Sequence, residues 1–240
     1  MKHRIKLCIA SMNLCMCLVA QAHEWPVIEL PPRADTFAVG DQFTANGLPM
    51  RAKGFRTKDM QLAQAVEWFK RSLGQPLVEN KFGSKVILGR AQGGYYVTVQ
   101  IENMRDDGFE GVKGMVAVSD VAAFNASKSQ QAFEVLRWLD RWPSGTQEMN
   151  RMVSQDFQKK SVYVSLRNGH SVELNRQALI DVLQQDGLAL ERESVGVVSD
   201  RMSLYFKGLQ KEAIATIAKT KQGNTEIVIN TITHPSEVKK

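Results

Sequence analysis

The 240-residue sequence predicts an α+β protein made of two small domains in tandem. Each is an antiparallel or mixed sheet with one or two helices of βαββ type, and the C-terminal one is ferredoxin-like, βαββαβ. Three observations predict it. Short stretches carry apolar residues at spacings of three and four, beside runs that alternate with a period of two. The order strand, capped helix, terminal glycine, short strand, second strand occurs twice. Between the two occurrences stands Pro143-Ser144-Gly145, the strongest boundary signal in the chain.

The first 22 residues read as a signal peptide. Lys2, Arg4 and Lys6 precede a mostly apolar run from Leu7 to Val19, and Ala20-Gln21-Ala22 supplies a small-x-small cleavage site before His23. Ser11 and Asn13 interrupt that run, which falls short of the roughly 20 apolar residues of a bilayer span. Cys15 follows Leu14 and Cys17 follows Met16, a poor fit to a lipoprotein signal, which wants a small residue before its cysteine. All three cysteines (Cys8, Cys15, Cys17) lie upstream of the cut. The processed chain therefore has no disulfide, no thiolate nucleophile and no cysteine-based metal site, and its expected destination is a bacterial periplasm.

Residues 23–45, with Pro26, Pro31, Pro32 and Gly40, form an extended lead-in that holds at most one edge strand. The N-terminal domain spans 46–119. Asn46-Gly47 marks a turn and Leu48–Phe55 a strand. In the stretch 58–73, Leu62, Val66, Phe69 and Leu73 make one helical face, capped by Thr57 or Asp59 and closed by Gly74 and Pro76. Strands follow at 77–80, 85–91, 95–102 and 112–118, with Gly93-Gly94 as a hairpin turn. Residues 120–156 read as a linker carrying an amphipathic helix with Phe133, Leu136, Leu139, Trp138 and Trp142. The C-terminal domain, 157–233, begins with a strand at 162–166. A helix follows, capped by Asn175, faced by Leu179, Val182 and Leu183, and ended by Gly187. Strands are expected at 188–193, 202–207 and 226–232. Ile214, Ile217 and Ala218 put a helix over 211–219. Residues 234–240 form a tail.

Charge excludes one class of function. The full chain carries 31 basic and 25 acidic residues. Removing the leader leaves 28 against 25, which is no nucleic-acid footprint. No run after Val19 approaches membrane-spanning length, so no transmembrane segment is expected in the processed chain.

Candidate chemistry is sparse. His23, as the new N-terminus, would offer its α-amino group and imidazole to copper if His170 or His234 lay near. Asn168-Gly169-His170-Ser171 sets a serine beside a histidine, but no Gly-x-Ser-x-Gly elbow accompanies it, and turn-forming residues account for the stretch. Asp106-Asp107, Glu110 and the pair Glu191/Glu193 are the carboxylates a glycosidase would need, yet the four tryptophans are not grouped with them. The glycines at 83 and 108–114 match neither a phosphate loop nor a dinucleotide fingerprint. No catalytic, cofactor or metal residue is therefore assigned.

Two surfaces remain. Tyr95, Tyr96, Val97 and Val99 read as a strand edge open to strand addition. Lys207, Lys211, Lys219, Lys221, Lys239 and Lys240 form a basic C-terminal group suited to an acidic partner. In topology alone, βαββ modules in tandem resemble the ring-building and adaptor domains of envelope-spanning secretion and pilus machines. The expectation is a non-enzymatic periplasmic accessory protein that contacts another envelope protein and is compatible with homo-oligomer formation. The alternative is an exported metal-binding protein or hydrolase using His23 or His170.

Overall fold

The computed structural model describes residues 24–106, 109–156, 159–196 and 201–234. The first half contains β1 (Asp35–Ala45), β2 (Leu48–Thr57), α1 (Leu62–Leu73), β3 (Val78–Phe82), β4 (Lys85–Gln92), β5 (Tyr95–Asp106) and β6 (Phe109–Asp120). Helix α2 (Val121–Leu139) crosses to the second half. There β7 (Gln147–Gln155), β8 (Lys160–Asn168), α3 (Val172–Gln185), β9 (Ala189–Val195), β10 (Arg201–Lys207), β11 (Lys211–Lys219) and β12 (Thr225–Thr233) follow.

Two tandem ferredoxin-like domains are not what this chain forms. All twelve strands join one sheet, in the order β3-β4-β5-β6-β2-β1-β7-β8-β12-β11-β10-β9, and every pairing is antiparallel. The decisive element is β11, expected as a helix. Ala213, Ala215 and Ile217 are buried on one side while Ile214 and Thr216 point to the other. Three apolar residues at 214, 217 and 218 satisfy a helical period, but the alternation through 213, 215 and 217 satisfies a strand. Pairing with β10 on one side and β12 on the other settles the choice, because both backbone edges find partners. Without a second helix here the βαββαβ order is lost.

The two halves share one topology. In each, the first strand pairs with the second, the second with the sixth, and the sixth, fifth, fourth and third follow outward, with the helix between strands two and three. They meet through β1 and β7, antiparallel, over three residue pairs: Phe43 with Ser154, Thr44 with Val153, and Ala45 with Met152. The lead-in thus contributes an internal strand. Asn46, with φ 50°, extends the seam: its N–H donates to the Arg151 carbonyl at 2.7 Å, and its Oδ1 accepts from the Arg151 N–H at 2.8 Å.

Helices α1 and α3 lie on the same side of the sheet. Residues directly opposite in an antiparallel pair point to one face. Val153, opposite Val162 beside the α3 core, is also opposite Thr44, which is opposite Pro49 in the row of Phe55 in the α1 core. On that side the first core joins Ala65, Val66, Phe69 and Leu73 of α1 to Phe55, Leu88, Val97, Val99 and Ile101. The second joins Leu179, Val182 and Leu183 of α3 to Leu166, Leu204, Phe206, Ala215, Ile217 and Ile227. Helix α2 ends on this side too: Trp138 packs against the second core and its ring lies 4.6 Å below the Arg151 guanidinium. The segment before β1 covers the first core through Trp25, Ile28 and Leu30.

Helix caps differ from those expected. The Gln61 N–H donates to Gln64 Oε1 at 2.9 Å, so α1 starts there and not at Thr57 or Asp59. Ser171 caps α3 by accepting from the Leu174 N–H at 3.1 Å. Asn175, expected as that cap, lies buried inside the helix. Gly74 and Gly187 follow α1 and α3 with φ 72° and 81°, the left-handed positions predicted for them.

Candidate functional site

His170 is built into turn structure. His170 Nε2 lies 2.8 Å from the Ser144 carbonyl, the His170 N–H donates to Asn168 Oδ1 at 3.0 Å, and its carbonyl accepts from Thr225 Oγ1 at 2.6 Å. The residue ties the β8–α3 turn to the start of β12 and to the loop before β7. Ser171, its neighbour, is committed to the cap of α3. His234 lies 4.0 Å from Glu212. His23 lies outside the described residues. Among the described residues no group of three or more His, Cys, Asp or Glu side chains is placed to hold a metal ion.

Of the candidate carboxylates, Glu193 is tied to a cation. Glu193 receives both arms of Arg176, at 2.9 and 2.7 Å. Hydrogen bonding from that guanidinium holds the Glu193 carboxyl below its usual range, against the opposing effect of desolvation. The same pair raises Arg176. A carboxylate held ionised by a fixed cation makes a strut and a poor general acid. Asp107 lies outside the described residues. Gly83, from one of the glycine stretches, takes φ 58° in the β3–β4 turn, a hairpin connection.

The expected strand edge is not an edge. β5 lies between β4 and β6, with Tyr95, Val97 and Val99 buried under α1 and Tyr96 on the helix-free side. The basic group is dispersed as well. Lys207 and Lys211 flank one end of the β10–β11 hairpin, Lys219 ends β11 and Lys221 lies just past it, while Lys239 and Lys240 lie outside the described residues.

The true edges are β3 and β9, and they differ in chemistry. All five residues of β3 are exposed. Val78 and Phe82, on the helix-free side, are 61% and 76% exposed. The β3 charges point to the helix side, where Glu79 pairs with Lys70 at 2.9 Å, so they do not guard the apolar side. Lys70 is raised by hydrogen bonds to Glu79 and Glu67, and Glu79 is lowered by Lys70. β9 by contrast is charged on both sides, with Glu193 toward α3 and Arg192 over the Tyr205 ring at 5.8 Å. Charges on an end strand discourage pairing with another chain. β3 is the less defended end. Sequence reasoning placed a strand at 77–80 but not its position at the end of the sheet, which the weak alternation of Val78-Glu79-Asn80-Lys81-Phe82 does not reveal.

A cleft also lies beside the seam. Beyond Phe43 two register shifts turn β1 away from β7, opening a hollow lined by Ala38–Gln42 and Ser154–Asp156. Its acidic groups are Asp41 and Asp156, and Asp156 Oδ1 accepts from the Lys159 N–H at 2.7 Å.

Comparison of the chain with models of known protein families, with curated proteins and with solved structures finds no match. Among the described residues no helix is long and apolar enough to cross a membrane.

Proposed function

We propose that this chain is an exported periplasmic, non-enzymatic protein that binds another envelope protein by accepting an extended segment at β3. The observation that carries the reading is the apolar, wholly exposed end strand with its charges turned to the opposite side. Strand addition draws affinity from backbone hydrogen bonds and specificity from alternate side chains. On β3 those side chains are Val78 and Phe82 on one side and, on the other, Glu79 paired with Lys70 of α1. The leader's charge, length and small-x-small ending support export. The topological analogy with secretion and pilus modules depended on βαββ domains, so no particular machine is proposed.

Photo-crosslinking in the native envelope tests this directly. A crosslinker at Asn80 should give one discrete adduct that Phe82→Lys abolishes, while the same crosslinker at Gln64 on α1 gives none. Equal adducts from both positions, or none from Asn80, would end the proposal. Mass spectrometry of the periplasmic fraction should find His23 as the first residue.

A further inference from the structure

The five residues of β3, Val78-Glu79-Asn80-Lys81-Phe82, are complementary to themselves. Turned end for end about Asn80, they set acid against base and apolar against apolar. A backbone can use that symmetry only if its free edge presents the right groups. Phe82 and Lys85 flank the two-residue turn Gly83-Ser84, so they form a hydrogen-bonded pair. Such pairs alternate along an antiparallel ladder, so Val78 and Asn80 also turn their backbone groups toward β4, while Glu79 and Lys81 turn theirs outward. The Lys81 N–H shows this direction, because it donates to Asn80 Oδ1 at 2.9 Å. That carboxamide must swing aside when a strand arrives.

A two-fold axis at Asn80 therefore places Glu79 opposite Lys81 of a second copy, twice, at the positions whose N–H and C=O groups face out. Both side chains lie on the helix side, where Glu79 already meets Lys70, and a carboxylate has acceptor sites for a second cation. On the helix-free side the same axis sets exposed Val78 against exposed Phe82, an apolar cross-strand pair. From this agreement of register, charge and apolar residues we infer that β3 pairs antiparallel with β3 of a second copy, joining two sheets edge to edge. The other end strand fails the same operation. Turning β9 about Arg192 sets Glu191 against Glu193 and Arg192 against itself. Contact about a two-fold axis closes after two copies. Five residues a side make a small interface, so the dimer is weak and exchanges readily. One edge cannot hold two strands, so self-pairing keeps β3 closed until a competing segment displaces it. That regulation rests on the proposed strand addition; the pairing itself does not.

Sedimentation of the purified, processed protein over a dilution series tests the pairing, and the expected result is a monomer–dimer equilibrium. Glu79→Lys and Lys81→Glu each set two like-charged pairs across the axis, and each should weaken the dimer about tenfold. An equimolar mixture of the two variants should recover the parent affinity as a mixed dimer, since every lysine then faces a glutamate. That recovery also shows both variants folded. A monomer at high micromolar concentration overturns the inference. So does a dimer that either single variant leaves intact, or a mixture that associates no better than the variants alone. The purified protein meets no other envelope protein. Failure here therefore leaves the crosslinked envelope adduct standing, and loss of that adduct leaves the dimer standing.

Discussion

The carboxamides of Asn168 and Asn175 are joined in both directions: Asn168 Nδ2 donates to Asn175 Oδ1 at 2.7 Å and Asn175 Nδ2 donates to Asn168 Oδ1 at 2.9 Å. Both residues are buried. Asn168 Nδ2 also reaches Thr146 Oγ1 at 3.0 Å, and Asn175 Nδ2 reaches the Ser171 carbonyl at 2.9 Å. The pair fixes the end of β8 against the first turn of α3 and the loop entering β7.

Replacing Asn175 with alanine strands a buried amide, which costs about 1–3 kcal/mol beyond the lost contact. Urea unfolding of Asn175→Ala should show an unfolding free energy lower by that amount, read from a lower midpoint at unchanged slope. Ser171→Ala, which removes only the cap, should lose about 1 kcal/mol. Equal losses from the two variants would contradict the role of the pair.

The seam depends on a left-handed asparagine. Asn46→Ala removes the Oδ1 acceptor of the Arg151 N–H and places an ordinary side chain at φ 50°. The expected loss is about 1–2 kcal/mol. Asn46→Gly keeps the conformation and should recover part of it in the same denaturation experiment.

Phe206 is fully buried at the centre of the second core. Phe206→Ala should destabilise by about 3–5 kcal/mol. Because the two cores are separate clusters on one sheet, hydrogen exchange should reveal where the damage goes. Amides of β8, β10, β11 and β12 should lose more protection than those of β4 and β5. Uniform loss would mean that the sheet opens as one unit.

The Arg176–Glu193 strut predicts a pH dependence with a definite sign. Arg176 lowers the folded-state Glu193 carboxyl below the ordinary value of 4.5. The unfolded chain therefore binds the proton first as pH falls. The stabilisation is complete above about pH 5 and is lost as pH drops through the folded-state value. Partial exposure of the pair keeps the effect modest. Thermal midpoints of the parent should fall faster than those of Glu193→Gln between about pH 5 and pH 3. Parallel curves would remove Glu193 from the account.

Much of the local structure was legible in the sequence. The helical spacing of Leu62, Val66, Phe69 and Leu73 and the glycines at 74 and 187 were read from local rules, and both belong to the first turns of contact that neighbouring residues set. The candidate surface was less legible. Tyr95–Val99 was identified as a strand but placed at an edge, because position within a sheet depends on which distant segment supplies the neighbour. β3, expected as a strand at 77–80, was not recognised as the end of the sheet for the same reason.

By itself the sequence determined most of the periodic segments, the turn glycines and the cysteine-free composition downstream of residue 22. Tertiary structure decided the state of residues 211–219, the burial of Asn175, and the fusion of two equivalent halves into a single sheet. Side-chain period is a property of neighbours along the chain, whereas strand order is set by hydrogen bonds between segments a hundred residues apart. The three residue pairs joining β1 to β7 carry no periodic signal, yet they bring Phe43 and Met152 onto one face.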